Sequence, residues 1–182
     1  SGSPMGKSLY EPDFKETVNE IHELAKMYNC KIFLPIDIVV SKDLIKNTDH
    51  KVVEFDECPS DHMILDIGQK SIELYKKIIR SSKTILWNGP AGYFENPNFA
   101  LGSYEIAKMI IKKNKDNSIY SVAGGGDTIA VLNQINAIRD SQWLGGDLKK
   151  KRKYVLKLKK KIIFLTLIIA GLFPISSNEW VF

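Results

Sequence analysis

The sequence has 182 residues, 44% hydrophobic and 26% charged, enough for one globular domain with its own core or at most two small ones. Its net charge of +5 belongs to one end, because from Ser141 onward nine Lys and Arg face two acids while residues 1–140 hold 17 bases and 19 acids. A near-neutral body excludes a generally basic, polyanion-coating protein; two cysteines, Cys30 and Cys58, without CxxC spacing exclude a disulfide scaffold and read as reduced intracellular thiols.

The opening SGSPM lacks a basic n-region and an apolar h-region, so residues 1–5 read as a cloning scar rather than a targeting signal. After Pro12 and Asp13, the residues Phe14, Val18, Ile21, Ala25 and Tyr28 recur at helical spacing and predict an amphipathic helix to about Asn29. "KIFLPI" (31–36) reads as a short buried strand, and "KVVEF" (51–55) and "MILDI" (63–67) as further strands, the last ending at Gly68. "SIELYKKII" (71–79) is predicted as a helix and "TILW" (84–87) as a strand that runs into "NGPAGYFENPNF" (88–99), a loop by its Gly, Pro and Asn content. "SYEIAKMIIKK" (103–113) then reads as a helix, "SIYSVA" (118–123) as a strand and "TIAVLNQI" (128–135) as a helix. Strands alternating with helices need crossover connections, so the expected fold is α/β: a three-layer αβα sandwich around a mostly parallel, Rossmann-like sheet.

In such sheets ligands bind beyond the carboxyl ends of the strands. Two irregular loops stand there. In "GGGDT", Gly124, Gly125 and Gly126 permit close approach to the backbone, and the helix beginning near Asp127 offers unpaired amides to an anion. Asp127 has two readings: an N-cap for that helix, or a carboxylate that recruits Mg²⁺ to bound phosphates. Thr128 either donates to a phosphate oxygen or merely begins the helix. The glycine tripeptide matches neither the GxGxxG fingerprint nor the GxxxxGK[ST] loop. In the second loop, Asn88 supplies an amide, Pro90 a rigid apolar face, and Glu95 a carboxylate able to accept two hydrogen bonds from a diol such as ribose. Each of these three is also an ordinary loop residue. His22 reads as a surface or boundary residue, Cys58 and His62 lack the partners for zinc, and Asp66 is either loop-ordering or functional.

"LPIDIVV" (34–40), "ILDIGQKSIELY" (64–75), "KTILWNGPAGYFENPNFALGS" (83–103) and "AGGGDTIAVLN" (123–133), in this order and with "GKSLYEPD" near the start, resemble the carboxyl-terminal, nucleotide-binding domain of phosphoglycerate kinase. The resemblance runs from about Gly6 to Asp140 and implies a cytoplasmic enzyme domain that binds ADP or ATP with Mg²⁺. It places Gly68 beside the adenine pocket, Pro90 against the nucleoside, Glu95 on the ribose hydroxyls and Asn88 near the phosphate chain. Gly124 belongs to the same nucleotide-binding set, and Asp127 would serve the metal-bound phosphates. Gly125, Gly126 and Thr128 would present the helix end to the phosphoryl group in flight, the catalytic role. The implied reaction moves a phosphoryl group between 1,3-bisphosphoglycerate and ADP, giving ATP and 3-phosphoglycerate, by positioning and charge neutralisation rather than covalent catalysis.

The family's amino-terminal, phosphoglycerate-binding domain has no counterpart in these residues, nor does the lysine-bearing stretch that opens its nucleotide domain. Half an active site is therefore expected, inactive alone and able to use 3-phosphoglycerate only if the other domain is supplied. After "NAIRD" the family continues with a strand, a second glycine-rich loop and a helix, whereas residues 141–182 read "SQWLGGDLKKKRKYVLKLKKKIIFLTLIIAGLFPISSNEWVF". The loss would leave a sheet edge open to self-association. A frameshift in an adenine-rich gene would produce such a tail. Taken at face value, its lysines followed by fourteen mostly apolar residues resemble a membrane-proximal anchor, or a tail-driven interaction protein in which the site is a relic. That run falls short of the roughly 20 residues a spanning helix needs. Alternatively Ile162–Ile169 supplies a core strand in place of the missing one, or the tail is disordered. No nucleic-acid-binding module is present.

Overall fold

The computed structural model describes residues 2–9, 14–116 and 120–136, together with the backbone of 162–166. Helix α1 (Lys15–Met27) is followed by three strands, β1 (Asp37–Ser41), β2 (His50–Glu54) and β3 (Met63–Ile67). Then come α2 (Gln69–Ser81), β4 (Thr84–Asn88), α3 (Leu101–Lys115), β5 (Tyr120–Gly124), α4 (Gly126–Gln134) and β6 (Ile162–Thr166).

The α/β class read from the sequence holds, with the strands in two three-stranded sheets. One has the order β5-β4-β6 and is parallel throughout, with Asn88 level with Gly124 on one side and Thr166 on the other. The other has the order β2-β1-β3 and is antiparallel, with a register shift between Val39 and Val40. Eight residues join β1 to its neighbour β2, which leaves no room for the crossover that parallel neighbours require, and β3 pairs along the other side of β1.

The main core gathers around β4, α2, α3 and α4: Ile72, Tyr75, Ile79, Trp87, Ile106 and Leu132 are all buried. The α2–α3 seam is closed at its rim by Lys76, which pairs with Glu105 at 2.7 Å and Glu73 at 3.2 Å. A second cluster, Ile38, Val40, Cys58 and Ile64, lies under the antiparallel sheet. Met5, read on sequence as part of a cloning scar, packs on that cluster, Lys7 N donates to His62 O at 2.7 Å and Ile64 N to the Ser8 hydroxyl at 2.8 Å. The packed body therefore includes Met5. Cys30 is exposed, Cys58 is buried, and both are free thiols.

Two expectations near the start need correcting. Residues 31–36 form no strand and are largely exposed; β1 begins only at Asp37. A strand needs a neighbour for its backbone groups, and here Ile36 N donates instead to the Ser71 hydroxyl at 2.8 Å while Ile36 O accepts from Phe55 N at 2.9 Å. Helix α1 forms with the predicted amphipathic pattern, but its apolar stripe of Phe14, Val18, Ile21 and Leu24 is exposed and the helix buries no residue.

Candidate functional site

The two glycine-bearing loops meet at the carboxyl ends of β4 and β5. Parallel pairing sets Asn88 beside Gly124, and the chain then turns through Gly89, at φ +88°, and through Gly125, at φ +86°. The amide of Gly89 donates to the hydroxyl of Thr128 at 2.8 Å, tying the β4 loop to the first turn of α4. Thr128 is fully buried, so its side chain acts as a brace between the loops. A Cβ built on Gly125 would stand 3.2 Å from Asn88 Oδ1, so the half-buried Asn88 amide faces this corner. Pro90 follows, half-buried, and Glu95 is exposed farther along the same loop.

Three helices start close after strands or loops at this level, and their first turns differ. At α2, Asp37 reaches over from β1: its Oδ2 accepts from Lys70 N at 3.0 Å and its Oδ1 from Ser71 N at 2.8 Å, with the Ser71 hydroxyl 2.7 Å away. A Cβ on Gly68 would lie 2.3 Å from that carboxylate, so Gly68 is a glycine because Asp37 occupies the space. At α3, Asp66 Oδ2 accepts from Gly102 N at 2.9 Å. At α4, the N-cap is Gly125, no side chain caps it, and Gly125, Gly126 and Asp127 are exposed. Asp127 stands in the first turn and not at the N-cap, so the N-cap reading of it does not hold. A Cβ on Gly126 would meet nothing within 4 Å. Protein packing therefore leaves room at that position.

Glu95 lies near enough to Asp127, in the first turn of α4, for the two charges to interact. Partial burial pushes the Glu95 carboxyl up from its ordinary value, its own backbone amide pulls the other way, and the negative charge of Asp127 pushes it up further. Among the described residues no group of three or more His, Cys, Asp and Glu could hold a metal ion by itself. A single exposed carboxylate in a first helical turn fits Mg²⁺ only when phosphate oxygens complete the coordination, which is how Mg²⁺ is commonly held. A concavity of about 420 Å³ lies elsewhere, between α3 and the end of α4, lined by Lys108, Lys112, Ile135 and Asn136 among others.

The loop between β4 and α3 is held from below by residues that the sequence reading gave little weight. Asp66 is 1% exposed; its Oδ1 accepts from Ile67 N at 2.8 Å, and a Cβ on Gly92 would come within 2.6 Å of that oxygen. Tyr93 N donates to Leu65 O at 2.8 Å, and Ala91 N to the Ser103 hydroxyl at 2.8 Å. Asn96 Nδ2 donates to Leu44 O at 2.9 Å, and its Oδ1 accepts from Asn98 N. An acid enclosed by apolar residues in "MILDI" was the available signal for Asp66.

The phosphoglycerate kinase family model matches residues 1–145. The chain belongs to the phosphoglycerate kinase family. It is 40% identical over 143 residues to the phosphoglycerate kinase of Azorhizobium caulinodans, covering 79% of this chain and 36% of that protein. Against that of Zymomonas mobilis it is 40% identical over 139 residues, covering 76% and 35%. The solved phosphoglycerate kinase of Coxiella burnetii superposes with a TM-score of 0.73 at 31% identity, covering 80% of this chain and 36% of that one. The chain thus spans about a third of the length of the curated relatives it matches. No helix among the described residues is long and apolar enough to cross a membrane.

Asp66, the brace beneath the phosphoglycerate kinase loop, carries a pH prediction. Burial pushes its carboxyl up to about 7, against the pull of the amides of Gly102, Ile67 and Leu101. A carboxyl whose pKa is higher folded than unfolded binds its proton more tightly in the native state. Its stabilising contribution is complete below the unfolded value of about 4 and is lost as pH rises towards 7, on the order of a few kcal/mol. Asp66→Asn is expected to flatten that part of the pH dependence of urea unfolding; an unaltered slope between pH 4 and 7 contradicts it.

Proposed function

We propose that the chain is the ADP- and ATP-binding part of a phosphoglycerate kinase, seating a Mg²⁺-nucleotide across the carboxyl ends of β4 and β5. The observation that carries this reading is the unequal treatment of the helix N-termini. Those of α2 and α3 are supplied with carboxylates by Asp37 and Asp66, while that of α4 is uncapped, exposed and flanked by a glycine with open space beside it. Amides at a helix start, with the partial positive charge there, suit phosphate oxygens.

In this reading Gly125 and Gly126 offer the phosphates an open approach to the amides of the first turn, and Gly124 sets the strand end below them. Thr128 braces the arrangement through Gly89, and Asn88 contributes its amide beside the phosphate chain. Asp127 shares Mg²⁺ with the phosphates; bound Mg²⁺ would supply neutralisation of phosphate charge. Glu95 accepts from the ribose hydroxyls, Pro90 packs on the nucleoside, and Gly68 borders the adenine. Site residues 68–128 would thus form the nucleotide half of the reaction. Transfer between 1,3-bisphosphoglycerate and ADP is proposed only when a phosphoglycerate-binding half is supplied. The family-like body would run to about residue 140 and take in Met5, with 141–182 a tail that adds strand β6 to its sheet, in a cytoplasmic protein.

Calorimetry tests this. MgADP is expected to bind the chain, and Asp127→Ala or Glu95→Ala to weaken it about tenfold or more, since hydrogen bonds to charged groups contribute about 1.5–3 kcal/mol. Binding is expected to weaken without Mg²⁺. With 1,3-bisphosphoglycerate added, the 182 residues alone are expected to make no ATP. A folded sample that takes up no MgADP would falsify the nucleotide reading.

A further inference from the structure

Strand β6 lies beyond the residues that match the family, yet it pairs with the strand that carries Asn88. The pairing is parallel and runs residue for residue along the whole of β4, from Thr84↔Ile162 to Asn88↔Thr166. On its other side β4 pairs with β5 over the same five residues, ending at Asn88↔Gly124. Three parallel strands therefore end level, at Gly124, Asn88 and Thr166. Ligands in parallel sheets sit beyond such ends, so the ledge under the candidate site is three strands wide, and its third strand comes from the tail.

β6 decides whether β4 is an internal strand or an edge. Consecutive amides of a strand point alternately to its two neighbours. With β5 alone, every second peptide of β4 would have no strand partner, and edge strands with few protected hydrogen bonds open locally at low cost. β4 leads directly into Gly89, whose amide is tied to Thr128, and into the loop that bears Pro90 and Glu95. Fraying at Asn88 would loosen the spacing between that loop and α4.

We propose that strand β6 of the tail is a positioning element of the nucleotide site: by holding β4 as an internal strand, it fixes Asn88 and the loop from Gly89 to Glu95 opposite the first turn of α4. This rests on the nucleotide reading above. The tail thereby takes the place of a strand in the sheet instead of serving only as an appended basic segment.

Hydrogen exchange on the unaltered chain gives the first test. All amides from Ile85 to Asn88 are expected to be protected; alternate fast-exchanging amides would overturn the pairing. MgADP is expected to slow exchange at residues 162–166 together with 84–88 and 124–128, and exchange at 162–166 that ignores MgADP would overturn the positioning role. The second test is Ile163→Pro with Phe164→Pro. One of two consecutive amides must face β4, so the pair removes a ladder bond whichever way β6 is turned. Alternate β4 amides are then expected to exchange at least tenfold faster and MgADP to bind at least tenfold more weakly, with α2 and α3 still protected. Unaltered affinity in a variant whose β4 has lost protection sinks the proposal. Full β4 protection in an unaltered chain that binds no MgADP would instead mark failure of the nucleotide reading, and the positioning role would fall with it.

Discussion

Gly126→Val is expected to remove nucleotide binding while leaving the fold standing. Gly126 is the first residue of α4, and a Cβ there meets no protein atom within 4 Å, so the substitution adds bulk only to the space in front of the helix. Valine costs the helix little, because the propensity of glycine is already the poorer of the two by a few tenths of a kcal/mol. Phosphate oxygens held by the first-turn amides would be displaced. Losing one or two hydrogen bonds to a charged group, at about 1.5–3 kcal/mol each, amounts to roughly a hundredfold or more in affinity. Gly125→Ala should behave in the opposite way. Its φ of +86° and ψ of 145° lie where a side chain is strained, so about 1–3 kcal/mol of stability should be lost whether or not nucleotide is present. Calorimetric titration with MgADP and urea unfolding of both variants separate the effects. Wild-type affinity in Gly126→Val would show that phosphate does not sit on α4.

Asp37→Ala is expected to be among the most destabilising single changes in the chain, by about 3–5 kcal/mol, since each buried donor left without an acceptor costs about 1–3 kcal/mol. Two donors lose their partner at once, the amides of Lys70 and Ser71, while the Ser71 hydroxyl loses one of its two acceptors and keeps the backbone carbonyl of residue 37. Asp37 is 3% exposed, so water has little access to replace it. The same side chain joins β1 to α2 and fills the space that Gly68 leaves open. Asp37→Asn retains one acceptor oxygen and should recover part of the loss. Urea unfolding monitored by circular dichroism measures it, and a change below about 1 kcal/mol would show that the first-turn amides of α2 find other partners.

Much of the element order was legible because its signals are local. Helical spacing marks α1 and α3, the apolar run of "MILDI" coincides with β3, and the Gly, Pro and Asn content of 88–99 marks the loop. The failure at 31–36 has a definite cause. Apolar β-prone text specifies a strand only if a neighbour supplies hydrogen bonds, and Ile36 finds Ser71 and Phe55 instead. In the candidate site, the two loops that bear Asn88 and Gly124 to Thr128 were legible from their Gly, Pro and Asn content after strands, and the structure sets them side by side. Asp37 was passed over, and Asp66 was left between a loop-ordering and a functional role, because their partners lie 34 and 36 residues away along the chain.

By itself the sequence determined the α/β class, the positions of the two glycine-bearing loops and, through ordered motifs, the family. Periodicity, turn chemistry and motif order are all written in neighbouring residues. Tertiary structure decided which helix N-terminus stays open, that Thr128 braces Gly89, that the first three strands pair antiparallel and that a strand of the tail lies along β4. Each of these depends on a hydrogen bond or a pairing between distant segments, where burial makes an unpaired polar group costly and so selects one partner from many.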